Sequence, residues 1–117
     1  MMLRTAVILS LSAMISMLVP QALGSAEEVQ ALLDQGLEEI LSGNEEDAII
    51  TFEQVIEMAP EDPEGYFGRG WARSRKNMDE EALEDYERAL QLDPDFGKAY
   101  IGLAWLAIDD GDADEAM

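Results

Sequence analysis

The sequence predicts an all-α protein built of helix pairs stacked one against the next. The clearest pair lies in residues 63–96, PEGYFGRGWARSRKNMDEEALEDYERALQLDPDF. Apolar and small side chains fall there at helical spacing in two runs: Tyr66, Phe67, Gly70, Trp71, then Ala82, Leu83, Tyr86, Ala89, Leu90. Polar Lys76 to Asp79 separates the runs, and Pro94 ends the second because proline lacks an amide proton and clashes with the preceding turn. The second observation is self-similarity. Sliding the chain by 34 residues aligns Ala48 with Ala82 and Ala116, Gly36 with Gly70 and Ala104, Phe52 with Tyr86, and Pro60 with Pro94. The third is punctuation: Gly43, Asn77 and Gly111 sit at the break of each unit, and these residue types tolerate a left-handed backbone.

A period of 34 with this residue order resembles the tetratricopeptide repeat (TPR). The resemblance covers Val29 to Met117, in units 29–62, 63–96 and an incomplete 97–117. It implies a solenoid of antiparallel A and B helices: A 29–42, B 45–58, A 63–76, B 79–92, A 97–110 and the start of a B helix at 113–117. Gln35 and Arg69 depart from the leucine usual at the seventh position of the repeat, and Val55 is large for its place. The physical logic is that one amphipathic helix pair cannot enclose a core alone. Small residues at Gly36, Gly70 and Ala104 bring helix A close to helix B, Phe52 and Tyr86 fill the space between units, and stacking buries a continuous core.

Taken from the N-terminus, residues 1–24 stand outside the repeat. Arg4 precedes an uncharged apolar run, Thr5 to Val19, which Pro20 ends. Ala22 and Gly24 are small residues placed for cleavage before Ser25, and Gly24 with Ala26 fit nearly as well. The segment looks like a secretory signal peptide of bacterial type, leaving residues 25–117 as the mature domain, periplasmic or secreted. The run is 15 residues, short of the roughly 20 that a spanning helix needs, so an uncleaved membrane anchor is the second choice. Ser25-Ala26-Glu27-Glu28 fits a capping box at the start of the first helix. Glu45-Glu46-Asp47 and Asp79-Glu80-Glu81 place negative charge at the positive ends of the B helices. Unit three stops before its aromatic and its proline, leaving Leu103, Ala104 and Ala107 without a covering helix. The expectation is therefore a fragment of a longer protein, or an open end that meets a partner or a second copy.

Composition narrows the function. The chain has no cysteine and no histidine, which removes disulfides, thiolate chemistry, the commonest general base and the commonest metal ligand. No catalytic constellation or phosphate loop stands out, and no cofactor is implied. Net charge is −19, a surface that repels nucleic acid and anionic membranes and favours solubility, basic partners or a salty environment. Asp109 to Glu115 resembles half of a calcium loop but lacks the later glycine and carboxylate such a loop needs, so it reads as the turn of unit three, and no metal site is expected.

The resemblance also implies where a ligand would lie. In this family the A helices line a concave face that holds peptides or helices of other proteins. Its groove positions correspond here to Gln30, Leu33, Leu37, Ile40 and Leu41, then Glu64, Phe67, Trp71, Ser74 and Arg75, then Lys98, Ile101, Trp105, Ile108 and Asp109. Leu33, Leu37, Phe67, Trp71, Arg75, Lys98, Ile101 and Trp105 are the candidate partner-binding residues. Trp71 and Trp105, one period apart, are expected to stack along the groove. Some members grip a carboxylate at places that here hold Leu33, Leu37, Gly68, Lys98 and Gly102; only Lys98 matches, so that clamp is not expected. Arg69, Arg73, Arg75 and Lys76 cluster on one helix, either as an anchor for an acidic partner or as neutralisation of acids such as Glu38, Glu39 or Glu84. The function expected is a non-catalytic adaptor that binds a partner peptide or amphipathic helix. The alternative is the N-terminal part of a larger envelope protein or enzyme, its groove covered by further helices.

Overall fold

The computed structural model describes residues 24–109. Five helices follow one another: α1 (Ala26–Leu41), α2 (Glu45–Met58), α3 (Pro63–Arg75), α4 (Asp79–Leu92) and α5 (Gly97–Ala107). The two B helices, α2 and α4, have the expected limits. Helix α1 starts earlier than the repeat's first position, because the Ser25 hydroxyl accepts the Glu28 amide at 3.1 Å and opens the helix there. Helix α3 has its own cap, Asp62, which accepts from the Glu64 amide at 3.0 Å, with Pro63 at the first helical position. Helix α5 ends at Ala107, short of residue 110, and Ile108 and Asp109 continue as a wider turn. The leader-like segment up to residue 23, Gly111 and the expected helix at 113–117 lie outside the described residues. Among the described residues no helix is long and apolar enough to cross a membrane.

Both described A-to-B turns have one geometry. Gly43 and Asn77 take positive φ, 84° and 62°. The Gly43 amide donates to the Ile40 carbonyl and the Asn44 amide to that of Glu39; Asn77 donates to Ser74 and Met78 to Arg73 in the same pattern. This is the Schellman arrangement, which satisfies the last free carbonyls of a helix and reverses the chain at once.

Packing is organised by two aromatic rings, each held between two glycines. Phe52 of α2 lies against Gly36 of its own unit and against Gly68 of the next unit's A helix. Tyr86 of α4 lies in the same way between Gly70 and Gly102. A Cβ at Gly36 or Gly102 would stand 2.6 Å from the ring, and one at Gly68 closer still. Each ring therefore sets two helix approaches, one within a unit and one between units. Gly36 and Gly70 are the small residues expected from the sequence; Gly68 and Gly102 complete the joint. Around the rings are two buried clusters, Val29, Ile40, Ala48, Phe52, Val55 and Ala72 in one, Ala82, Tyr86, Ala89, Ala99 and Leu106 in the other. The continuous core expected from the sequence is thus two cores, and they meet where Trp71, packed on the first, contacts Phe67, packed on the second. Ile40, expected in the groove, is fully buried in the first core.

Where the repeat usually has leucine, these units have polar side chains, and each is satisfied. In unit one the buried Thr51 hydroxyl donates to Glu39 at 2.6 Å and accepts from Gln35 at 3.4 Å. In unit two the buried Asp85 takes two hydrogen bonds from Arg69, at 2.8 and 3.1 Å, and one from Arg73 at 2.9 Å. Asp85 is 34 residues after Thr51, as Arg69 is after Gln35 and Arg73 after Glu39. One three-cornered site therefore recurs with different chemistry. Burial works against the Arg69 charge, but Asp85, by hydrogen bond and by charge, holds the guanidinium above its ordinary value.

The basic cluster is spent inside the molecule, as the neutralisation reading expected, although on other acids than Glu38, Glu39 or Glu84. Arg69 and Arg73 pair with Asp85, Arg75 with Glu45 at 3.2 Å, and Lys76 with Glu46 at 2.8 Å. The last two join the end of α3 to the start of α2. Glu45 is held below the usual carboxylate range by the backbone amide at the helix start and then by Arg75; Glu46 is lowered by Lys76. A lowered native value means that this contribution is present above the unfolded carboxylate range and is lost as pH falls through the native one.

Two outcomes check this account. Gly68→Ala should lower stability by about 1–3 kcal/mol through overpacking against Phe52. Gly97→Ala, whose Cβ meets nothing within 4 Å, should be neutral or gain about 0.4–1 kcal/mol; urea denaturation of both variants measures the contrast. Asp85→Asn should cost about 3 kcal/mol, the low end for a broken buried pair because the two arginines keep 20% exposure. Converting the whole set to unit one's chemistry (Arg69→Gln, Arg73→Glu, Asp85→Thr) should recover more than half of that loss.

Candidate functional site

Helix α3 packs on both α1 and α5, so the three A helices stand side by side. Two adjoining hollows run across them. One, about 660 Å³, is lined by Phe67, Trp71 and Arg75 of α3, Ile101 and Trp105 of α5, and the buried Tyr86 beneath. The other, about 590 Å³, is lined by Leu33, Asp34 and Leu37 of α1, again by Phe67 and Trp71, and by Lys98. Because they share Phe67 and Trp71, they form one groove. All eight candidate residues lie along it: Leu33, Leu37 and Lys98 at one side, Arg75, Ile101 and Trp105 at the other, Phe67 and Trp71 between. Leu41 and Ile108, also assigned there by position, are exposed but do not line it. A third hollow, about 670 Å³, opens between Val29, Leu33, Met58 and Pro60 at the outer end of α1 and α2.

The floor of the groove is aromatic and firmly built. Phe67 is the hub, with ring centroids 6.2 Å from Trp71, 5.9 Å from Tyr86 and 5.8 Å from Phe96, the last edge-on. Burial pushes the Tyr86 phenol up, against the lowering effect of its hydrogen bond with Ser74. The two tryptophans do not stack as expected. Trp71 is half-buried against Phe67 and the first core, while Trp105 is 65% exposed and makes no ring contact among the described residues. Trp71 instead makes a tilted ring contact with Phe67, one turn before it on the same helix. Trp105, Ile101 and Leu37 are thus the large apolar side chains the groove leaves open to water, at 65%, 61% and 42% exposure.

The groove carries charge of both signs. Arg75 and Lys98 line it, but Arg75 is paired with Glu45 and Lys98 with Glu64 at 3.0 Å. Asp34, Asp62, Glu64 and Asp109 line it as well. Asp34 and Asp62 were missed because neither falls on a groove position of the repeat, and Tyr86 because its place is a packing one. Among the described residues no group of His, Cys, Asp or Glu is arranged to hold a metal ion.

Models described as the tetratricopeptide repeat match residues 29–62, 63–96 and 80–117. No curated protein matches the chain. Solved structures do. The TPR2AB-domain:pHSP90 complex of yeast Sti1 superposes with a TM-score of 0.71 at 26% identity, over 90% of this chain and 41% of that one. The TPR2B-domain:pHsp70 complex of yeast Sti1 gives 0.69 at 27% identity, over 78% and 73%. The chain spans about two fifths of the length of the first.

The two tryptophans should separate in their contribution to stability. Trp105→Ala should change the unfolding free energy by less than about 0.5 kcal/mol, as an exposed side chain. Trp71→Ala should cost about 2 kcal/mol or more, as one packed on the core. Chemical denaturation followed by far-UV circular dichroism reads both without relying on the tryptophan signal.

Proposed function

The chain belongs to the tetratricopeptide repeat family, whose fold typically serves as a non-catalytic protein–protein interaction module, and from that premise we propose that it holds a partner's peptide or amphipathic helix in the groove across α1, α3 and α5. One observation carries the reading: Leu37, Ile101 and Trp105 stay open to water along a groove whose floor, Phe67 and Trp71, is packed and apolar. A contiguous exposed apolar surface is a mark of an interaction site, and tryptophan is prominent among binding anchors. The two similar Sti1 structures are complexes with pHSP90 and pHsp70, which supports a protein-derived ligand here. The carboxylate clamp of some family members is not matched here, since its places hold Leu33, Leu37, Gly68 and Gly102 beside Lys98. The absence of histidine and cysteine from the whole chain supports a binder rather than an enzyme.

Export belongs to the same reading. Arg4, the apolar run Thr5–Val19 and the small residues before Ser25 support a leader that delivers residues 25–117 to the periplasm or medium. Expression of the full chain in a bacterium tests both parts. Mass spectrometry of the exported protein should find a chain beginning at Ser25; a cytoplasmic, uncut product would overturn export. That protein should enrich peptides with large apolar side chains from a random display library. Enrichment should be lost in Ile101→Ala/Trp105→Ala and kept in Ile50→Ala, an exposed position off the groove. Equal recovery by all three proteins would sink the groove.

A further inference from the structure

We propose that the groove selects a basic ligand: a segment with large apolar side chains and lysine or arginine beside them. The proposal rests on the groove being the binding site and adds the chemistry of what it binds. Of its charged lining residues, four are acids (Asp34, Asp62, Glu64, Asp109) and two are bases (Arg75, Lys98). Both bases are already committed within the chain, Arg75 to Glu45 and Lys98 to Glu64. An incoming carboxylate would have to share or displace one of these pairs to reach a cation. An incoming ammonium or guanidinium finds carboxylates ready. Asp34 accepts only the neutral Gln30 amide at 3.0 Å, Asp62 accepts a backbone amide as a helix cap, and Asp109 makes no ion pair among the described residues.

These acids are also well placed relative to the apolar anchors. Asp34 shares its hollow with Leu33 and Leu37, and Asp109 shares its own with Ile101 and Trp105. The aromatic centre at Phe67 and Trp71 thus has acids at both sides. A ligand whose apolar side chains enter the hollows and whose cations flank them meets both requirements together. The field of the whole chain acts in the same direction, since a net charge of −19 draws cationic ligands in and holds anionic ones off. Complementarity of this kind sets selectivity and association rate more than raw affinity.

The test uses three 15-residue peptides with the same leucines and with Lys, Gln or Glu at every other polar place, each carrying a fluorescent label and titrated with the protein by fluorescence anisotropy at low and high salt. The Lys peptide should bind about tenfold tighter than the Gln peptide at low salt, the Glu peptide weakest, and the gap should close in high salt. Asp34→Asn with Asp109→Asn, both exposed positions, should cut the preference for the Lys over the Gln peptide about threefold. If Lys and Gln peptides bind equally, and both are lost in Ile101→Ala/Trp105→Ala, the charge selection is overturned while the groove stands. Lys-peptide binding that ignores Ile101→Ala/Trp105→Ala is attraction to the acidic surface at large, and overturns the proposal. Failure of all three peptides overturns the groove and its selectivity together.

Discussion

The structure depends on two rings that have no room to move. Phe52 and Tyr86 each occupy a slot whose walls are glycine backbones from successive A helices. A methyl group on either wall would fill the slot, so the ring sets both the pairing of helices within a unit and the pitch from one unit to the next. Everything that makes the groove follows from that spacing. The A helices stand side by side because the B-helix rings behind them fix the separation, and Phe67 and Trp71 then have neighbours on both sides.

Around those joints the molecule keeps geometry and varies chemistry. Thr51 with Gln35 and Glu39, and Asp85 with Arg69 and Arg73, satisfy the same corner of the unit with a hydroxyl in one case and an ion triad in the other. A buried carboxylate is costly to desolvate, and two arginines with three hydrogen bonds offset that cost. The basic cluster of α3 is therefore mostly an internal structure. Its remaining members, Arg75 and Lys76, tie α3 back to α2 across the unit boundary.

The fold was legible because the repeat states it several times over. Turn residues, small residues and prolines recur at one spacing, so helix limits came out within a few residues. The differences have local causes. Helix α1 starts ahead of the repeat register at Ser25, the cap already read from the sequence. Ile40 went to the core although Ser74, its counterpart, lies at the groove; position within a repeat does not say how far a given helix has rolled. Gly68 and Gly102 carry a visible signal, since they are one period apart, but unit one has Asp34 there and the match shows in two units only. Asp85 is hidden among 26 acids. The departure of Arg69 from leucine, with Arg73 one turn on, was the clue that some acid had to be buried beneath them. At the groove, the apolar anchors were readable from repeat positions. The commitment of Arg75 and Lys98 was not, because it depends on which carboxylates the fold brings within reach.

Tyr86 belongs to two structures at once. Its ring is the wedge between Gly70 and Gly102, and the same ring is part of the groove lining. Under the proposed function, a ligand seated against Ile101 and Trp105 would rest on the joint between the second and third units, so a substitution that disturbs the Tyr86 wedge would also disturb the seat above it. Affinity in the proposed groove would then depend on the packing of the scaffold as well as on its surface.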